Sequence, residues 1–194
     1  MNHLAHCFLS FNEEQLLLGN FIGDYVKGNN WENYPKKVQK GILLHRMIDA
    51  FTDAHPAVKS CTARVRPFAG RFSPPIVDIL FDHLLAISWK TYSNIPFHTF
   101  TQTTYQQLTN QIEKMPPTLQ ERLPKMIAGD FLSGYLAYEG LLFVFQQFSK
   151  RLPLPLDSSA LLDFFFAEKE DFLIDFRLFF PQLLEKSQMF SDFE

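Results

Sequence analysis

The sequence predicts an all-α protein that forms a single multi-helix domain over residues 1–194, with roughly seven to nine helices. Apolar residues recur at helical spacing through long segments, and prolines or capping residues stand where these segments begin and end. Glycine is rare, with eight in the chain, and no hairpin turn separates alternating segments. Apolar side chains make up 46% of the residues, which argues against disorder and allows a sizeable core.

Capping and proline residues divide the first half of the chain into four predicted helices. A short helix covers 1–10, and a second one runs from the capping residues at 12–14 to near Gly28. The third begins at Pro35 and continues to about Ala54, where His55-Pro56 ends it because a residue before proline avoids the α region. A short basic helix follows at about 57–66.

The second half is divided in the same way. We expect helices over 73–92, 97–115 and 118–153, the last with an interruption near Gly134. Asp157 would cap a final helical region that extends to about Met189 and is kinked or broken near Pro181. No internal repeat or long flexible linker divides the chain, which favours one domain.

The third predicted helix carries a stripe of metal-ligand residue types. His45, Asp49 and Asp53 are successive i, i+4 neighbours and project from one face. Arg46 lies beside them, and His55 follows at the helix end. The intervening residues are largely apolar, whereas a solvated face would mix Lys, Glu and Gln. The stripe therefore indicates a site inside a helical protein.

Other ligand-type residues lie on apolar helical segments, where an unpaired charge is costly. Asp24 is in the last turns of the second predicted helix, where the helix dipole disfavours a carboxylate, so it needs a partner such as a metal ion. Asp82 and His83 are adjacent on an apolar segment. Mixed imidazole and carboxylate ligands suit Mn²⁺, Fe²⁺, Mg²⁺ or Zn²⁺. Such ions polarise phosphoryl oxygens and lower the pKa of bound water.

Three further histidines have a simpler interpretation. His3 and His6 lie in the apolar opening segment and are expected to be ordinary core or surface histidines. His98 lies on a polar helix without neighbouring ligand types and is expected at the surface.

The charge of the chain is unevenly distributed. The net charge of −3 argues against non-specific nucleic-acid binding. The region Lys36–Arg71 nevertheless contains eight basic and two acidic residues. Its arginines, among them Arg64, Arg66 and Arg71, are natural partners of phosphate oxygens. The region would suit an anionic substrate or an acidic partner protein, but ordinary helix-surface charge explains it equally well.

Cysteine usage and hydropathy favour a soluble, cytoplasmic setting. Cys7 and Cys61 form no zinc-type spacing and are expected to be reduced. No signal-peptide pattern opens the chain, and no run of about 20 apolar residues is long enough to span a membrane.

Several segments, in this order, resemble the acyl carrier protein phosphodiesterases, also called acyl carrier protein hydrolases. They are the opening MNHLAH, then LLLGNFIGDYVKG, GILLHRMIDAFTDAHP, DILFDHLLAISW and the late YLAYEGLLFVFQQFSKR. The resemblance covers about residues 1–151, and its specificity comes from the combination of segments.

The resemblance implies an all-α, non-standard relative of the HD-type metal-dependent phosphohydrolases, which uses a divalent ion, commonly Mn²⁺ with Mg²⁺ or Fe²⁺ as alternatives. The implied reaction hydrolyses the phosphodiester between 4′-phosphopantetheine and a serine of holo-acyl carrier protein. Its products are the apo carrier and free 4′-phosphopantetheine. The pair Asp82-His83 is in the reverse order of the His-Asp dyad that names the wider group.

The resemblance also implies roles for residues of this chain. The metal would be held by Asp24, His45, Asp49, Asp82 and His83. Asp53 or His55 would orient water or protonate the leaving group, and Arg46 or Arg71 would bind non-bridging oxygens. The basic region Lys36–Arg71 would dock the acidic carrier protein, and a Phe-lined channel would take the pantetheine arm.

Two alternatives remain open from the sequence. One is an HD-like phosphohydrolase that acts on a nucleotide or another small phosphodiester. The other is a helical binding module without catalytic activity, which would bind no metal.

Overall fold

The computed structural model describes residues 1–150, 152 and 156–192, and all regular structure within them is helical, which confirms the all-α class. The α-helices are α1 His3–Phe8, α2 Glu14–Ile22, α3 Lys36–Ala54, α4 Pro56–Ala69, α5 Ser73–Ile87, α6 Trp89–Tyr92, α7 Phe97–Asn110, α8 Pro117–Ala128, α9 Tyr138–Ser149, α10 Ser158–Ala167 and α11 Lys169–Asp192. No helix among the described residues is both long and apolar enough to cross a bilayer.

Helix boundaries agree with the prediction where capping chemistry or proline sets them. Helix α3 begins directly after Pro35, and His55 ends it in an extended conformation before Pro56. The carboxylate of Glu13 accepts from the backbone N–H of Leu16 at the start of α2. Asp157 caps α10 in the same way, as predicted.

Several boundaries differ from the prediction: the segment 73–92 divides into α5 and α6, and α7 ends at Asn110 rather than near Met115. Helix α2 ends at Ile22 and continues only as a 3-10 turn, Gly23–Tyr25, rather than reaching Gly28. In the last region the chain breaks at Glu168 and not at Pro181, which lies inside the continuous helix α11. The buried rings of Phe179 and Phe180 next to this proline show that packing offsets its missing hydrogen bond. The predicted helix end at Pro153 lies outside the described residues.

The C-terminal helix α11 packs across α3, α4 and α5 and completes an aromatic core. Phe81 of α5 lies with its ring centroid 5.4 Å from that of Phe176 and 5.5 Å from that of Phe179. Arg64 of α4 forms an ion pair with Asp175 of α11. These contacts hold α11 against the back of the helices that carry the candidate site.

Helices α2 and α3 touch through their backbones. A Cβ atom at Gly19 would lie 2.1 Å from the carbonyl oxygen of Val38, and one at Gly41 would lie 2.3 Å from that of Leu16. Since real Cβ atoms do not approach a carbonyl so closely, glycine is required at both positions. The contact fixes the position of the end of α2 relative to His45.

We predict that Gly41→Ala destabilises the protein although alanine is the better helix former by about 1 kcal/mol. The added methyl would force α2 and α3 apart, so urea unfolding should show a loss of about 1–3 kcal/mol in the free energy of unfolding. Gly129→Ala is the matched control, because a Cβ there meets its nearest atom at an ordinary 3.5 Å. Equal stability of both variants would contradict direct backbone contact.

Candidate metal centre

Three potential ligands from two helices converge at one point. His6 of α1 and His45 and Asp49 of α3 offer ligand atoms that all lie within 4.8 Å of one another. The two carboxylate oxygens of Asp49 lie 3.2 Å from Nε2 of His6 and 3.1 Å from Nε2 of His45. Asp24, in the 3-10 turn after α2, brings a carboxylate oxygen to 3.3 Å from the same His45 nitrogen. Two imidazoles and two carboxylates thus surround a common space.

One residue orients both imidazole rings. The side-chain oxygen of Asn20 lies 2.7 Å from Nδ1 of His6, and its backbone oxygen lies 2.8 Å from Nδ1 of His45. The amide nitrogen of Asn20 donates to the backbone oxygen of His6 and to Ser10 Oγ, which identifies the other amide atom as the acceptor. Both Nδ1 atoms therefore carry hydrogen, and in neutral rings both Nε2 atoms present lone pairs to the carboxylates.

The protonation states follow from burial and these contacts. Burial disfavours the charged form of His45, but hydrogen bonds and charges from Asp24 and Asp49 outweigh it and raise its pKa to about 9. Burial lowers the pKa of His6 in spite of its contact with Asp49. Burial alone would raise the pKa of Asp49, yet the two histidines lower it. The hydrogen bond from His45 lowers the pKa of Asp24.

The lowered pKa of His6 favours a neutral ring, whose Nε2 lies 3.2 Å from a carboxylate oxygen of Asp49. A cation at this point would satisfy both. The donor set of imidazole nitrogen and carboxylate oxygen fits a first-row divalent metal ion.

The cluster opens into a cleft of about 670 Å³. Its polar side contains the carboxylates of Asp24, Asp49, Asp53 and Asp78, and its other walls are largely apolar, including Phe21, Met126, Phe131, Phe143, Val144 and Phe148. The Asp78 carboxylate accepts from the N-terminal amine of Met1 at 2.8 Å. Partial burial, then the charges of Asp78 and Asp49, raise the pKa of Asp53. The cleft is therefore suited to a substrate with one charged and one apolar part.

Asp82, expected as a metal ligand, takes a different position. Its fully buried carboxylate accepts from the backbone N–H groups of Asn2, Leu4 and Ala5, the shortest bond being 2.7 Å to Leu4. Burial raises its pKa to about 7, although the N-terminal amine and these hydrogen bonds act in the opposite direction. Asp82 thus holds the start of α1, the helix that carries His6.

His83 also lies apart from the cluster. Its Nδ1 donates to the backbone oxygen of Tyr135 at 2.7 Å, and its ring packs edge-on against Phe165 and Phe166. Burial lowers its pKa to about 4, so the ring is neutral. Consecutive residues of an α-helix diverge by about 100°, which explains why Asp82 and His83 do not share one site.

Three further expected site residues do not line the cleft. His55 accepts from the backbone N–H of Ala57 at 3.2 Å and packs between Phe51 and Phe179, so it caps α4 instead of facing the cluster. Arg46 donates to the backbone oxygens of residues 26 and 28. Arg71 lies over the ring of its neighbour Phe72.

Sequence reasoning missed three residues of the cleft: His6, Asn20 and Arg122. The signal for His6 was its place on an apolar helix, since a buried imidazole needs polar partners. Asn20 gave a similar signal within the apolar segment of α2, where it is fully buried. Nothing in the sequence near Arg122 distinguishes it from other surface arginines.

Comparison with known proteins gives a consistent result. The family model described as acyl carrier protein phosphodiesterase matches residues 1–183. The acyl carrier protein phosphodiesterase of Yersinia pestis is 30% identical over 97% of this chain and 98% of its own length. That of Serratia proteamaculans is 36% identical over 62% of this chain and 63% of its own length. That of Pectobacterium atrosepticum is 28% identical over 95% of this chain and 96% of its own length.

No solved structure matches this chain significantly. The family match over 183 residues and the nearly full-length similarity to the Yersinia protein confirm the resemblance seen in the sequence segments. The chain belongs to the acyl carrier protein phosphodiesterase family and is a hydrolase.

Proposed function

We propose that this protein is a metal-dependent phosphodiesterase that hydrolyses the bond between 4′-phosphopantetheine and the serine of holo-acyl carrier protein. Its relatives are named acyl carrier protein phosphodiesterases, which supports the carrier protein as substrate. The observation that supports the proposed metal dependence is the convergence of His6, His45 and Asp49, whose ligand atoms all lie within 4.8 Å of one another.

His6, His45 and Asp49 would hold the ion, with Asp24 within reach as a further ligand. When bound, Mn²⁺, or Mg²⁺ or Fe²⁺ in its place, would polarise a phosphoryl oxygen and lower the pKa of a water molecule near the phosphorus. This ligand set does not include the expected Asp82, which is bonded to the start of α1, or His83, whose Nδ1 donates to Tyr135.

Asp53 is the residue best placed to supply a proton. It lines the cleft one helical turn beyond Asp49, and desolvation together with the charges of Asp78 and Asp49 raises its pKa. As the oxygen of water bonds to phosphorus, the water releases a proton to solvent, the bond from phosphorus to the serine oxygen breaks, and the serine oxygen takes up a proton. Asp53 would donate it, while the apolar walls of the cleft would hold the pantetheine arm and exclude water.

The carrier protein would dock through the remaining basic surface of the region Lys36–Arg71. Arg46 and Arg64 are engaged within the protein, and Lys40 donates to the backbone oxygen of Ser191. The exposed cations of the region include Lys36, Lys59, Arg66 and Arg71. Their charge would attract an acidic carrier and make its association sensitive to salt.

The reaction is tested by incubating holo-acyl carrier protein with the protein and Mn²⁺ and measuring the intact mass of the carrier. We expect loss of the 4′-phosphopantetheine group and inhibition by a chelator. An unchanged carrier mass together with turnover of a nucleotide would support the small-substrate phosphohydrolase instead. No turnover and no bound metal would support a binding module.

We predict that His6→Ala removes metal binding as well as activity. Loss of one imidazole should weaken metal affinity by more than about 100-fold, because even supporting residues around metal sites contribute 10–100-fold. Metal content of purified protein and titration with Mn²⁺ measure the effect. His98→Ala, at an exposed position on α7, is the matched control and should bind metal like the wild type. Full metal binding by the His6 variant would exclude this site.

We predict that Asp53→Asn lowers kcat by about 10²–10⁴-fold with unchanged metal content, since it removes the proton donor but no metal ligand. Steady-state kinetics on holo-carrier and metal analysis of the same sample test this. A variant with normal kcat would show that the proton comes from elsewhere, and one without metal would make Asp53 a ligand.

A further inference from the structure

The cleft has a strongly unbalanced charge. Four carboxylates line it, and two of them, Asp78 and Asp49, are paired with the Met1 amine and with histidines. Arg122 of α8 is the one Lys or Arg side chain among the described residues that line it. A phosphodiester is an anion, and it would approach these carboxylates only with positive charge nearby. The position of this single guanidinium is therefore informative.

Arg122 is not neutralised by a carboxylate. No Asp or Glu oxygen of the described residues lies within 4.0 Å of it, in contrast to Arg64, which is paired with Asp175. Its Nη1 donates to the hydroxyl of Tyr25 at 3.1 Å. A guanidinium has five N–H donors in a planar fork, so one such bond leaves donors for a ligand.

The bond to Tyr25 joins Arg122 to the segment that carries Asp24, and both bonded residues line the cleft. Tyr25 directly follows Asp24, whose carboxylate oxygen is 3.3 Å from His45 Nε2. The positive charge of Arg122 is also felt by His3 of the same cleft, whose pKa is lowered to about 4 by burial and by neighbouring positive charges. The guanidinium therefore lines the same cleft as the candidate ligand residues Asp24, His45 and Asp49.

We propose that Arg122 binds the non-bridging oxygens of the substrate phosphate, with the Tyr25 hydroxyl bonded to one end of its fork. This inference rests on the proposed function and extends it to substrate recognition. A guanidinium matches two phosphate oxygens at once, and its attraction grows as negative charge accumulates during hydrolysis. It takes the role that the sequence assigned to Arg46 or Arg71, which do not line the cleft.

The experiment measures binding of inorganic phosphate to the Mn²⁺-loaded protein by isothermal titration calorimetry. Arg122→Gln should weaken binding at least about tenfold, because a charge-assisted hydrogen bond is lost. Arg122→Lys should retain only part of the wild-type phosphate affinity, since an ammonium lacks the planar fork. Lys125→Gln, at an exposed position of the same helix that does not line the cleft, is the matched control and should bind like the wild type.

Each outcome decides the inference. Unchanged phosphate affinity in Arg122→Gln would overturn it, and if the KM for holo-carrier then rose, Arg122 would contact the carrier protein instead. A lower metal content in this variant would also overturn it, because Arg122 would then support the metal site. Wild-type protein that binds phosphate through Arg122 without cleaving holo-carrier would refute the proposed function and leave this inference intact.

Discussion

The backbone contact between α2 and α3 is the constraint on which the candidate site depends. Gly19 and Gly41 allow these helices to meet without intervening side chains, and Gly23 leaves room for the ring of His45. This approach brings the backbone oxygen of Asn20 to hydrogen-bonding distance of His45, while its side chain reaches His6 on α1. Three helices are thereby positioned around one buried amide.

The polar residues of the apolar helices fall into two groups, candidate metal ligands and residues that hold the ligand-bearing segments in place. His45 and Asp49 face the cluster, whereas Asp82 binds the backbone at the start of α1 and Arg46 binds backbone oxygens after the 3-10 turn. Both supports hold segments that deliver a ligand, His6 in one case and Asp24 in the other. Asp82 and Arg46 therefore belong to the framework of the candidate site, whereas His45 and Asp49 are proposed to hold the metal.

Most of the site that could be predicted from the sequence lies on a single helix, and the exception is Asp24, which follows α2. His45, Asp49 and Asp53 share a face of α3 because helical periodicity is a local property, and proline fixes both ends of that helix. His6 and Arg122 lie on helices that are distant from α3 in sequence. Only the packing of those helices brings both side chains to the same cleft. The all-α class was accessible from spacing and caps, whereas the early end of α2 depends on close packing at Gly23.

The rings of His6 and His45 are stacked with their centroids 4.2 Å apart, and this contact bears on the stability of the N-terminal segment. An ion shared by these rings would cross-link the N-terminal segment to the centre of the chain. Because such an ion would bind the folded arrangement and not the separated helices, metal binding and retention of α1 would be thermodynamically linked. Cells short of the metal would then hold a form with a weakened N-terminal attachment, more open to proteolysis at its first helix.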